Sequence, residues 1–257
     1  MDHLPQLSTL QQQFLETTRR ADPSTPIPWL GRWKVEQLVV HLARIHHWAA
    51  GQARRKQETP LGRGPFDLPA LYEDCAAELR QTLAELDPDA RAWTLLDDGR
   101  PTDDAVPATR TERPVGTVRF WHRRQTHETL VHLWDLRAAI GEEVDVDAAL
   151  WLDCLDELVT VMHPRQLRLG RVPAPTVLLR FAPTDPDLTG QGADAVRTLA
   201  GAADDAPVVT LSGPAKSLAL LAWGRGVPED DRLAAPGVTV DGEREPAEAT
   251  VRAGLTP

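Results

Sequence analysis

Leu4, Leu7, Leu10, Phe14 and Leu15 recur at the three- and four-residue spacing of a helix, and prolines at 23, 26 and 28 close that segment. The same spacing returns in residues 33–56 through Val35, Leu38, Leu42, Ile45 and Ala49, with His41 on the apolar side. A third helical pattern, from about 68 to 86, runs through Leu71, Cys75, Leu79 and Leu83 and is stopped by Asp87-Pro88. Residues 91–114 are polar, irregular and Pro-containing, long enough for a lid or an excursion around a site. Residues 120–139 then continue without Gly or Pro for about five helical turns. A further helix is expected over 147–163, carried by Leu150, Leu155, Leu158, Val159 and Met162 and closed by Pro164. Long amphipathic segments joined by loops predict an antiparallel four-helix bundle with an accessory helix.

The period changes near Arg171. Residues 176–181 and 208–211 are β-branched runs bounded by Pro, Asp and Gly, 238–240 reads as another short strand, and 195–200 as an edge strand. Between them, 214–223 has Leu218, Leu221 and Ala222 at helical spacing. The expected fold class is therefore α+β. A helical bundle over residues 1–166 is followed by a small α/β domain over 167–257, with the break between 163 and 175.

Composition narrows the function classes. A chain of 257 residues with 42 % apolar and 26 % charged residues has enough material for a sizeable core, and its formal net charge of −10 argues against a nucleic-acid partner. Two cysteines, Cys75 and Cys154, form neither a disulfide framework nor a zinc spacing. No export signal or window of ~18 apolar residues is present, so a cytoplasmic protein without a membrane span is expected.

Candidate chemistry concentrates in 120–139. At 100° per residue, Trp121, Arg124, Glu128, His132, Asp135 and Ala139 share one stripe, bracketed by Phe120, Leu130, Val131, Trp134 and Ala138. Polar groups bracketed in this way point into a protected cavity rather than into solvent. Glu128 and His132 sit one turn apart, and both can bind a metal; the pairing also occurs as a plain surface ion pair. His41, on the apolar face of a second helix, completes a His, Glu and His set, the pattern of catalytic zinc with one position left open. Iron and nickel suit the same donors. Asp135 is placed either to orient His132 or to pair with a surface Arg, and Arg124 to neutralise a carboxylate of the site or of a substrate. His46, His47, His122 and His127 are alternative ligands, of which His122 and His127 face away from Glu128. The cysteines read as buried small hydrophobes, and no nucleophile elbow, P-loop or dinucleotide fingerprint occurs.

The segments RRQTHETLVHLWD, WKVEQLVVHLA, TVLLRFAPTDP and SGPAKSLALLAWGRG together resemble the mycothiol-dependent maleylpyruvate isomerase family over nearly the whole chain. The chain departs from that family at 187–190, where an aromatic residue often follows the T-D-P element. The resemblance implies a DinB-like bundle that holds zinc through His41, Glu128 and His132, and it implicates an Arg near the last helix, which falls on Arg225 of the second domain. It implies an enzyme that takes mycothiol as a thiol cosubstrate and isomerises a small electrophilic or acidic molecule about a double bond. Two other classes stay open at this level, a mycothiol S-transferase and a metal-binding bundle without turnover. A monomer or homodimer is expected.

Overall fold

The computed structural model describes residues 1–95, 115–189 and 192–256. Four long helices form the first unit: α1 (His3–Arg20), α2 (Val35–Ala53), α3 (Leu68–Glu85) and α4 (Val118–Ala139). Their ends follow from local chemistry. The Asp2 carboxylate accepts from the Leu4 N–H at 3.3 Å and the Asp67 carboxylate from the Ala70 N–H at 3.1 Å, each satisfying a donor that its helix leaves open. α4 stops at Gly141, whose φ of 76° lets its N–H reach the Ala138 carbonyl.

α2 packs on α3 and α4, and α1 on α4 and α3. Leu7, Ala49, Ala50, Leu79, Leu83, Val118 and Trp121 are fully buried between them. Trp121 anchors the start of α4, with Phe120 and Trp48 edge-on at 5.0 and 5.1 Å. Its indole N–H donates to the Trp93 carbonyl at 2.7 Å. Trp93 ends β1 (Arg91–Trp93), which pairs antiparallel with β2 (Val115–Thr117) immediately before α4. These strands, inside the stretch expected to be irregular, are too short to show a period. Residues 96–114, which carry the expected lid, lie outside the described residues.

The second unit begins, among the described residues, at Asp145. It opens with α5 (Ala148–Glu157), a π-turn over Leu158–Met162, and α6 (His163–Arg168). The helix therefore passes Pro164 instead of ending there. The His163 N–H donates five residues back to the Leu158 carbonyl, and this wider turn places Pro164, which has no N–H, in the first turn of a new helix.

β3 (Leu178–Pro183), α7 (Pro186–Thr189), β4 (Arg197–Thr198), β5 (Val208–Gly213), α8 (Ala215–Ala222), β6 (Thr239–Asp241) and α9 (Arg244–Arg252) complete the chain. The mixed sheet has the order β4-β3-β5-β6, with β3 and β5 parallel and in register at Phe181 and Leu211. β4 is an edge strand, as expected. α5 packs against α8. This corrects the expected division at 166/167: the chain divides between Val144 and Asp145, and the accessory helix belongs to the second unit. Its apolar period announced a buried face but not which partner would cover it.

Two of the segments noted in the sequence turn out to frame α8. The Asp185 carboxylate accepts from the Ala215 N–H at 2.7 Å, and the Thr184 N–H donates to the Gly213 carbonyl. At the other end the N–H groups of Gly224 and Arg225 close on the Leu221 and Leu220 carbonyls. Asp185→Ala is expected to cost about 1 kcal/mol, the usual value of a helix cap. Urea unfolding measures it, and an unchanged midpoint would show the cap to be idle.

Candidate metal centre

α2 contributes His41 and α4 contributes Glu128 and His132. Glu128 Oε1 lies 3.3 Å from His132 Nε2 and 3.5 Å from His41 Nε2, and donor atoms of the three residues lie within 4.8 Å of one another. A charge-assisted N–H···O bond spans about 2.7–2.9 Å, so both separations are long for direct ion pairs. Ligands of a tetrahedral cation at about 2.0–2.2 Å stand roughly 3.4 Å from each other. The spacing fits donors that share a cation.

The far sides of the two α4 ligands are engaged. Arg124 Nη2 donates to Glu128 Oε2 at 2.6 Å, and His132 Nδ1–H donates to Asp135 Oδ2 at 2.9 Å. Glu128 and His132 are thereby oriented by their far sides, leaving Glu128 Oε1 and His132 Nε2 directed at the common point. The rings of His41 and His132 meet edge-on at 5.1 Å, and Trp33 packs on His41 at 4.9 Å. Of the two roles open to Arg124, the geometry favours neutralising Glu128, because its side chain is only 3 % exposed. Exposure rises from 9 % at His132 through 16 % at Glu128 to 32 % at His41, so the centre opens on the His41 side.

Electrostatics keep Glu128 ionised. Burial would raise its pKa, but Arg124 and the two imidazoles outweigh burial and hold it well below the carboxylate range. Burial pushes the His132 pKa down, yet the Asp135 hydrogen bond and the nearby Glu128 charge prevail and raise it to about 9. In the metal-free protein His132 is therefore protonated at neutral pH.

The other histidines take different parts. His46 is fully buried, with Nδ1 2.8 Å from Gln125 Oε1, and burial lowers its pKa to about 4, so it is a neutral core residue. His127 is buried with its ring edge-on to His3, and His122 is half-buried. His47 places Nδ1 2.5 Å from Glu78 Oε2 and Nε2 2.7 Å from the Thr59 carbonyl. Both partners only accept, so both ring nitrogens carry hydrogen. No spacing rule finds this clamp, because Glu78 lies on α3. Arg225 sits just beyond α8 in the second unit, where its guanidinium donates to the Trp223 carbonyl at 2.6 Å.

Sequence reading also missed a cavity of about 940 Å³ between α2 and residues 58–66, with His41 in its wall. His47 clamps that wall by holding Thr59.

The profile of the mycothiol maleylpyruvate isomerase N-terminal domain matches residues 5–137. The chain belongs to that family. Two solved structures of similar fold are the mycothiol-dependent maleylpyruvate isomerase and a histidine-to-alanine mutant of it, with TM-scores of 0.58 and 0.57. Each is 14 % identical, and each match covers 94 % of this chain and 92 % of the other. No curated protein matches the sequence. Membership thus rests on the first unit, where every residue of the His, Glu and His set falls, and at 14 % identity the solved structures speak for fold alone. No helix among the described residues is long and apolar enough to cross a membrane.

His132→Ala should lose bound divalent metal while keeping its helical circular dichroism, and Asp135→Ala should bind ~10- to 100-fold more weakly. Metal must displace the His132 proton, so binding at neutral pH should release a proton and weaken as pH falls. Full metal content in both His41→Ala and His132→Ala would rule out the set.

The His47 clamp gives a separate pH prediction. Burial lowers its pKa, but the bonds to Glu78 and Thr59 outweigh it and the net shift is upward. Its contribution is complete below the ordinary histidine value and is lost as pH rises through the raised one. Amide exchange over residues 58–62, corrected for intrinsic rate, should accelerate across that interval and lose this dependence in His47→Gln. A flat wild-type profile would contradict the clamp.

Proposed function

We propose that the chain is a metal-dependent and thiol-dependent enzyme acting on a small electrophilic molecule, with maleylpyruvate-type cis-trans isomerisation as its reaction and mycothiol as its thiol. The observation that carries this reading is the sharing of Glu128 Oε1 between two imidazole nitrogens, at spacings suited to a cation and with the centre open on one side. A divalent cation there, zinc by its preference for such donors, supplies Lewis-acid charge that lowers the pKa of an arriving thiol. His41 and His132 serve as neutral donors and Glu128 contributes one negative charge, so positive charge is left over to favour an anionic sulfur.

The protein's own thiols are unsuited to the task. Cys75 is buried, and burial pushes its pKa up to about 11; Cys154 is buried as well. An external thiol fills that gap. Its thiolate adds to the electron-poor double bond and the electron pair moves onto the conjugated carbonyl. Rotation about the new single bond follows, and departure of the thiolate restores the double bond in the trans geometry. No proton is gained or lost overall. The family resemblance also assigns Arg225 to the carboxylates of an acidic substrate, an assignment that Arg225→Gln tests through KM. A cytoplasmic location, where such a thiol stays reduced, belongs to the same reading.

Cobalt-substituted protein provides the test. Adding mycothiol should introduce a thiolate-to-metal charge-transfer band, and maleylpyruvate should be converted with the thiol recovered unchanged. Consumption of thiol at each turnover would make the protein an S-transferase. Thiol-independent activity with an unperturbed spectrum would overturn the proposal.

A further inference from the structure

Hydrogen bonds orient two of the three candidate ligands. Arg124 fixes Glu128, and Asp135 fixes His132 through its Nδ1–H. His41 has no such partner: its Nε2 lies 3.5 Å from Glu128 Oε1, and among the described residues no hydrogen bond holds its Nδ1. It is also the most exposed of the three. The outer torsion of a histidine is broad and roughly two-fold, so a ring that is unbonded on its far side can turn its Nε2 away from the common point. A metal ligand is ordinarily denied that freedom by a bond to its other nitrogen.

Ring contacts take the place of that bond. The His132 ring meets His41 at 5.1 Å, and the Trp33 ring meets it at 4.9 Å, inclined by 63°. His132 is itself a ligand, so the constraint that comes from outside the set is the indole of Trp33. Offset and edge-on ring pairs are favoured at this separation, which makes the contact an orienting one.

Trp33 in turn has little freedom. Residues 26–34 form a small hairpin ahead of α2, closed by an antiparallel bridge between Pro26 and Lys34. The Ile27 N–H donates to the Trp33 carbonyl at 2.8 Å, and the Trp33 N–H donates to the Leu30 carbonyl at 3.1 Å. Ile27 is fully buried, and Gly31, with a φ of 61°, turns the tip. The Lys34 N–H donates to Gln37 Oε1 at 2.9 Å, which ties the hairpin to the first turn of α2. The same hairpin sets Trp29 against Trp134 at 4.7 Å, two residues past His132 on α4. It therefore lays one indole on a ligand of α2 and another beside the ligands of α4.

We infer that Trp33 is the positioning residue of His41, doing by ring packing what Arg124 and Asp135 do by hydrogen bonding for the other two ligands. Of the three, His41 is then the ligand whose place is set by a hairpin outside its own helix. The inference rests on the reading of His41, Glu128 and His132 as metal ligands and on nothing about the thiol or the substrate.

Zinc affinity, measured on the full chain by competition with a chromophoric chelator, tests this in a double-variant cycle. Trp33→Leu should weaken zinc binding by ~10-fold, the upper value of a well-placed ring pair, and Trp33→Phe, which keeps a flat ring, should restore most of it. In a His41→Ala background the same Trp33→Leu change should cost nothing further, because the ring that it positions is gone. If Trp33→Leu loses its helical circular dichroism, Trp33→Phe takes its place in the cycle, with a smaller loss that must again vanish in His41→Ala. An equal loss in both backgrounds would make Trp33 a support of the fold only, and no loss in either would show that His41 is held without it. Both results overturn the inference and leave the ligand set standing. Zinc affinity that His41→Ala does not change would overturn the inference and the ligand set together.

Discussion

The Glu128 carboxylate divides its two oxygens between two tasks, and the first unit is organised around that division. Oε2 takes the Arg124 guanidinium, while Oε1 stands between His41 and His132. A carboxylate buried to this degree would protonate and cease to be a ligand without a compensating cation beside it. Arg124, one turn earlier on the same helix, supplies that charge from the protein itself. Asp135 does the converse for His132 by fixing its Nδ1 proton, so one helix carries two ligands together with their orienting partners. Such a helix is buried on nearly every side, and some of its polar groups are satisfied locally; the Thr126 and Thr129 hydroxyls donate to carbonyls four residues back.

Holding α4 in place is then a packing problem. Trp121 solves part of it by filling the core and tying α4 to β1 through the Trp93 carbonyl. α2 sets the other half of the centre, and the small residues Ala49 and Ala50 belong to the same buried cluster. The second unit is built on different devices. Asp185 caps the start of α8, and Gly224 with Arg225 ends it, which gives the T-D-P, S-G-P-A and W-G-R segments a structural reason for their residue types.

Long helices were readable from the chain because a bundle imposes a 3.6-residue period on every member, and the Glu128 and His132 pair because four residues is one turn. His41 was readable from its place on the apolar side of α2. What stayed hidden depended on partners distant in sequence. The helix at 148–157 showed its apolar face without showing that α8 would cover it, β1 and β2 have three residues each, and α9 carries too few apolar residues to announce itself. Arg124 read equally well as a substrate ligand until Glu128 Oε2 was found against it. The His47 clamp joins α2, α3 and a loop.

The central claim is that His41, Glu128 and His132 converge on one divalent ion with a position to spare. X-ray absorption at the metal edge of zinc-loaded protein tests it most directly. The account predicts two imidazoles and a carboxylate oxygen at about 2.0–2.2 Å, a single imidazole in His41→Ala, and a new sulfur at about 2.3 Å when mycothiol is added. A first shell that is unchanged by His41→Ala, or one already rich in sulfur before any thiol is present, would contradict it.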